Sequence, residues 1–212
     1  MSMAGSEAEE HLVLLEAAFR DSGRPVPGCA DRLASFLDEL ARWSTRASLT
    51  GLKTARSRVE DGIMDCVPLA GILPRDARLV DVGSGNGLPG LVVAVMRPDV
   101  RVVLLEPSAR RTAFLRAASS AASADCEIVR ERVEDWRPEP FDAAVSRAVF
   151  PVPRWLDLAR PLVRPGGSVV AMIAGDDLPE PPVGLRLDVT ESYVLPWSAR
   201  KRSLAVFQRV RS

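Results

Sequence analysis

The 212-residue chain has one histidine, His11, and two lysines, Lys53 and Lys201. His11 lies in an acidic N-terminal stretch, far in sequence from any candidate site, and reads as a surface residue rather than a catalytic one. With so little lysine, the positive charge is almost wholly arginine. Arginine suits bidentate contacts to phosphates and bases, although an overall compositional bias explains it more simply. There is no excess of either sign: 28 basic residues balance 28 acidic ones, for a formal net charge of zero. That removes a bulk electrostatic case for a nucleic-acid partner, so any basic surface must be local. The three cysteines, Cys29, Cys66 and Cys126, are far apart, with no C-x-x-C pair and no metal-ligand spacing. They point to a reducing compartment and to no bound metal. No apolar run approaches the ~20 residues that span a bilayer. The N-terminus lacks a basic, apolar signal region. The expectation is a cytoplasmic protein without membrane contact. No strong self-association signal appears, which points to a monomer.

At 47% hydrophobic residues the chain can bury a substantial core. Apolar stripes predict helices over residues 7–22 and 29–44, with Leu12, Leu15, Ala18 and Phe19 on the first and Leu33, Phe36, Leu37, Leu40 and Trp43 on the second. A third helix is expected over residues 56–73. From Arg78 the pattern becomes alternating strand and helix. Strands are expected at 79–82, 101–106, 126–131, 141–148, 168–174 and 202–210. Helices are expected at 88–96, 109–122 and 152–162, and Arg164–Gly167 reads as a turn. Such alternation implies an α/β fold with a parallel, doubly wound sheet whose strand C-terminal ends share one ligand-binding edge. Residues 1–74 form a helical extension and 75–212 the ligand-binding domain.

The segment LVDVGSGNGLPG, residues 79–90, is the most informative. A phosphate loop needs a lysine after its glycines, and none follows. Gly85 to Gly90 is literally G-x-G-x-x-G, and Glu106 lies where a ribose-binding acid belongs, so a dinucleotide fold is one reading. The other is S-adenosylmethionine (SAM), with Gly83, Gly85 and Gly87 turning beneath the ligand. The acids favour SAM. Asp81 stands just before the loop, where a carboxylate repels a pyrophosphate but suits an ammonium and a sulfonium. Glu106 ends the second strand, in reach of ribose hydroxyls, and Glu134 follows the third, in reach of an adenine amino group.

DVGSGNGLPG, with its Leu88-Pro89-Gly90 tail, resembles the loop of the bacterial 16S ribosomal RNA guanine-N7 methyltransferases, the glucose-inhibited division protein B family. The likeness continues through Leu105-Glu106, Arg110-Arg111, Phe114-Leu115, Arg132-Val133-Glu134, Ser146-Arg147-Ala148, Arg164-Pro165-Gly166-Gly167 and Arg202 to Val206. Upstream, Trp43 and Ser48-Leu49-Thr50 resemble the family's W…N-L-T segment. The chain departs from the family pattern at Ser48 (usually Asn), at Gly62 within a His-x-x-Asp-Ser motif that here reads Gly62, Asp65, Cys66, and at Ile173, where a lysine is usual. The resemblance implies a Rossmann-like class I SAM-dependent methyltransferase fold, with a mainly parallel seven-stranded sheet and an N-terminal helical extension. It implies SAM as cofactor and 16S ribosomal RNA of the small subunit, or an assembly intermediate, as partner. Asp81, Gly83, Ser84, Gly85, Gly87, Leu88, Glu106, Val133, Glu134 and Arg147 are then cofactor contacts. Arg147 and Arg202 are the candidate catalytic or target contacts. Arg200, Lys201 and Arg202, beside Trp197, are the candidate RNA contacts.

Guanine N7 offers a free lone pair and no proton, so its methylation needs alignment rather than a base. The chain has no Asn/Asp-Pro-Pro-aromatic box for exocyclic amines, and none of its cysteines follows a proline. Two enzyme alternatives stay open: methylation of another RNA, a protein or a small molecule, and a NAD-binding oxidoreductase. A non-catalytic RNA-binding factor is a third.

Overall fold

The computed structural model describes residues 4–46, 50–175 and 178–210, so Ser48 and Leu49 of the upstream segment lie outside the described residues. Two helices open the chain, α1 (Ala4–Asp21) and α2 (Ala30–Arg46). Their stripes bury Leu15, Ala18, Phe19, Leu33, Phe36, Leu37 and Leu40, as the helical spacing predicts.

The expected third helix is broken into three. A short α3 (Ala55–Ser57) is started by a reciprocal cap in which Thr54 Oγ1 accepts from the Ser57 amide while Ser57 Oγ accepts from the Thr54 amide. A π-helical segment, Arg58–Met64, follows, and then α4 (Val67–Ile72), with Pro68 in its first turn. The amide of Asp65 reaches back five residues to the carbonyl of Glu60. Such wide turns are uncommon and recur at functional sites; this one presents Glu60, Asp61 and Asp65 to the sheet edge.

The sheet has seven strands in the order β3-β2-β1-β4-β5-β7-β6. β1 (Arg78–Val82), β2 (Arg101–Leu105), β3 (Cys126–Val129), β4 (Phe141–Ser146) and β5 (Val163–Ala174) run parallel. β6 (Leu185–Val194) and β7 (Lys201–Arg209) complete it antiparallel. Helices α5 (Gly90–Met96), α6 (Ala109–Ala121) and α7 (Val152–Ala159) fill the crossovers. The β1 and β4 runs are buried on both faces, which explains their unbroken apolar character. One core joins α1, α2, α4, α5 and α6 on one face; a second joins α7 to the other.

Three further expectations need correction. Arg164–Gly167 is not a turn before a strand but a bulge within β5. Phe141 pairs with Val163 and Ala143 with Ser168, so two steps on β4 match five on β5. The sequence reading omitted β6, an exposed edge strand. His11 is not at the surface but fully buried. It accepts from Arg58 Nε at its Nε2 (2.9 Å) and so donates through Nδ1 to Asp38 (2.5 Å), tying α1, α2 and the π segment together. Among the described residues, no helix is long and apolar enough to cross a membrane.

Candidate active site

Strand order reverses between β2-β1 and β4, the place where open α/β sheets bind ligands. β1 ends there and the glycine loop begins. The amides of Gly83 and Ser84 donate to the Leu105 carbonyl (2.8 and 3.2 Å), and Ser146 Oγ donates to the Val82 carbonyl (2.8 Å). These bonds bind the ends of three strands together beneath the loop. Gly83 and Gly87 have φ of +74° and +82°, a region unfavourable for other residues. A Cβ on Gly83 would lie 2.7 Å from Val149 Cγ2, and one on Gly87 3.2 Å from Phe36 of α2. The loop is thus packed from both sides. The helix expected from Leu88 begins at Gly90, after a cis Leu88–Pro89 bond.

The acids hold the loop in shape. Asp81 Oδ2 accepts from the Gly90 amide at 2.9 Å, while Ser84 Oγ donates to the Asp81 carbonyl at 2.8 Å. Burial pushes the Asp81 carboxyl up to about 7, against the pull of the Gly90 amide and of Arg147. Its Oδ1 is buried with no hydrogen-bond partner in the structure. Glu106, 2% exposed, accepts from the Gly85 amide (3.0 Å) and the Ser108 amide (2.9 Å), with Arg111 Nη1 3.9 Å away. A carboxylate has about four lone-pair sites, so two stay open to ribose hydroxyls. Val133 is buried beyond β3, whereas Glu134 is exposed and faces Arg154 Nη2 at 3.7 Å. An unpartnered buried carboxylate oxygen beside a glycine cradle suits an ammonium-bearing ligand such as SAM and disfavours a pyrophosphate.

Arg147 leaves the end of β4 and lines a cleft of about 590 Å³ with Asp61, Asp65, Ile173, Arg200 and Arg202. Its neighbour Ala148 also lines the cleft, at φ +57°, and the next residue, Val149, packs over Gly83. Cleft and loop therefore adjoin. Asp65 is the hub: its Oδ2 accepts from Arg147 Nη1 (3.2 Å), and its Oδ1 accepts from the Tyr193 hydroxyl (2.9 Å) and lies 3.6 Å from Arg202 Nε. Burial and the Asp65 charge both raise the Tyr193 phenol far above its ordinary range, so it stays a donor. Arg147 Nη1 also donates to the Asp61 carbonyl (2.8 Å). Glu60 Oε1 accepts from the amides of Trp197 and Ser198 (2.7 and 2.6 Å), pinning the turn that carries Arg200.

The structure thus brings Arg147, Arg200 and Arg202 together and sets Lys201 exposed beside them. Trp197 already has one face covered: Arg56 lies over its ring at 4.2 Å, and its Nε1 donates to Asp21 (2.9 Å). Gly62 is placed so that a Cβ would contact Leu88 and Leu52. Burial pushes the Cys66 thiol up to about 12, and it donates to the Gly62 carbonyl (3.0 Å). Glu60, Asp61 and Tyr193 were not foreseen as site residues. The one available signal was the acid spacing of Glu60, Asp61 and Asp65 ahead of a basic cluster. Among the described residues, no group of three or more His, Cys, Asp or Glu is placed to hold a metal ion.

Comparison with known proteins accords with this geometry. Residues 30–181 match the family model described as GidB, rRNA small subunit methyltransferase G. The chain is 39% identical over 152 residues to ribosomal RNA small subunit methyltransferase G of Mycolicibacterium gilvum, covering 70% of this chain and 66% of that protein. It is 36% identical over 165 residues to the protein of the same name from Thermobifida fusca, covering 77% of this chain and 68% of that one. In fold it is similar to a point mutant of MtNAS solved in complex with S-adenosylmethionine, at TM-score 0.59 and 14% identity, over 85% of this chain and 72% of that one. The sheet order, the glycine loop and the sequence match agree: the chain belongs to the GidB family, rRNA small subunit methyltransferase G.

Proposed function

We propose that this protein transfers a methyl group from SAM to N7 of a guanine in 16S ribosomal RNA. The observation that carries the reading is the junction, at one switch point, of a packed glycine-and-acid loop with an arginine-lined cleft, in a chain of this family. SAM supplies an electrophilic methyl on a sulfonium. The residues that would hold it are Gly83, Ser84, Gly85, Gly87 and Leu88 around the methionine part, with Asp81 toward its ammonium. Glu106 would take the ribose, and Val133 and Glu134 would border the adenine.

The chain's remaining task is alignment of donor and acceptor at about 3 Å. N7 brings its own lone pair, so no proton has to be held or moved. The cleft offers a donor instead: Arg147, tethered by Asp65, can grip O6 beside the reacting N7 without blocking it. Arg200, Lys201 and Arg202 then meet the RNA backbone, with Arg202 also held by Asp65 at the cleft. Residues 1–74 serve as a helical extension packed on the methyltransferase domain, 75–212, and the protein acts as a cytoplasmic monomer on the small subunit or its assembly intermediate.

The test is transfer of labelled methyl from SAM to small ribosomal subunits from a strain lacking the gene, with the label mapped by N7-specific cleavage. Label at a single guanine N7 is expected. SAM binding without label in the RNA would move the target elsewhere and leave only the cofactor reading.

A further inference from the structure

Two guanidiniums converge on one oxygen at the mouth of the cleft. Arg200 Nη2 donates to Asp61 Oδ1, and Arg202 Nη2 lies 3.8 Å from the same oxygen. This is how two arginines grip a phosphate, and the planar fork of each suits that ligand.

Both arginines are held by groups other than Asp61. Arg202 Nε lies 3.6 Å from buried Asp65. Arg200 Nε donates to Ser198 Oγ (3.0 Å), in a turn pinned through its backbone to buried Glu60. The Asp61 carboxylate itself holds no buried group. Its residue contributes to the fold through the main chain, whose carbonyl accepts from Arg147. The Arg200 side chain is 47% exposed, and ion pairs at such positions are weak. A carboxylate here can therefore be exchanged for another anion, at a modest cost.

We propose that Arg200 and Arg202 form a phosphodiester-binding site for the RNA substrate, and that Asp61 fills it in the free protein as a built-in anion that the RNA backbone displaces. The proposal rests on the RNA-methyltransferase reading above. The internal anion neutralises the site toward random polyanions, in keeping with a chain of zero net charge. Only an RNA that also seats its base in the cleft recovers the cost of displacing Asp61.

The experiment measures binding of a fluorescein-labelled, guanine-containing single-stranded RNA oligonucleotide to the full chain by fluorescence anisotropy. Asp61→Asn, with Asp61→Ala as a second variant, is expected to lower Kd about two- to fivefold. Thermal midpoint and SAM affinity should stay unchanged. In an Arg200→Gln/Arg202→Gln background the same Asp61 substitution should have no effect, because the coupling is then gone. An unchanged Kd overturns the proposal. So does an equal gain in the arginine-deficient background, which would mark a general charge effect, and so does the absence of RNA binding in every variant. Methyl transfer by the unaltered chain to small subunits keeps the two readings apart. Transfer without an Asp61 effect removes only the internal anion, and no transfer removes the RNA-methyltransferase reading itself.

Discussion

At Asp81 one carboxylate meets two demands. Oδ2 caps the start of α5 through the Gly90 amide, and Oδ1 is buried without a partner. Its carboxyl rises from 3.8 to about 7 in the folded chain, burial being the main cause. The folded state thus keeps a proton that the unfolded state gives up near 3.8. This contributes stability at low pH that is lost as pH rises from about 4 to about 7. An ammonium beside Oδ1 favours the carboxylate and expels that proton. SAM affinity is therefore expected to rise between pH 5 and 7, by up to about tenfold per pH unit, and to flatten above. Calorimetry in buffers of differing ionisation heat should show one proton released below pH 7, and none for Asp81→Asn. Equal proton counts in the two proteins would remove Asp81 from the ammonium site. The identity of the loop acids could be read from the sequence because they stand at strand ends, Asp81 just before the end of β1 and Glu106 just after that of β2. The burial of His11 could not, because its partners Asp38 and Arg58 lie 27 and 47 residues away. The links from Arg147 to Asp65 and from Arg200 to Asp61 span 82 and 139 residues, and no local pattern carries them.

Among the elements, α5 shows how tightly the loop is fitted. Its first residue, Gly90, sits where a Cβ would lie 2.5 Å from Leu104 Cδ2 and 2.7 Å from Asp81 Cβ. The last glycine of the literal G-x-G-x-x-G therefore serves helix-to-strand packing rather than phosphate contact. Gly90→Ala should cost about 1–3 kcal/mol and lower the thermal midpoint by roughly 2–12 °C. A scanning calorimetry trace matching the unaltered protein would refute the close packing. Element by element, the parallel strands were plain as short apolar runs bounded by turn residues. β6 was missed because most of its residues are exposed at the sheet edge, and a register shift after Leu187 breaks its alternation. The π segment was hidden because its buried residues also fit an ordinary helix, and only backbone hydrogen bonds tell the two apart.

Over the whole molecule, α1 and α2 share a core with the helices of the sheet domain. Leu33, Phe36, Leu37 and Leu40 of α2 cluster with Leu91 of α5 and Phe114 of α6, and Trp43 meets Phe114 edge-on at 5.8 Å. Each fully buried apolar side chain contributes about 1.5–3 kcal/mol, against a net stability of about 5–15 kcal/mol for a typical domain. Deleting residues 1–46 should therefore abolish the cooperative unfolding transition, as followed by circular dichroism. A sharp transition in the truncated chain would show the sheet domain to be self-sufficient.

The scarcity of lysine makes the surface of this protein chemically lopsided. Lys53 and Lys201 are both exposed; Lys201 follows Arg200, which lines the cleft, whereas Lys53 lines a separate depression with Glu7, Arg42 and Arg58. Reagents that acylate amines thus find one side chain beside the proposed RNA-binding mouth, Lys201, and one in a separate depression, Lys53. Protection of Lys201 relative to Lys53 becomes a direct footprint of whatever docks there.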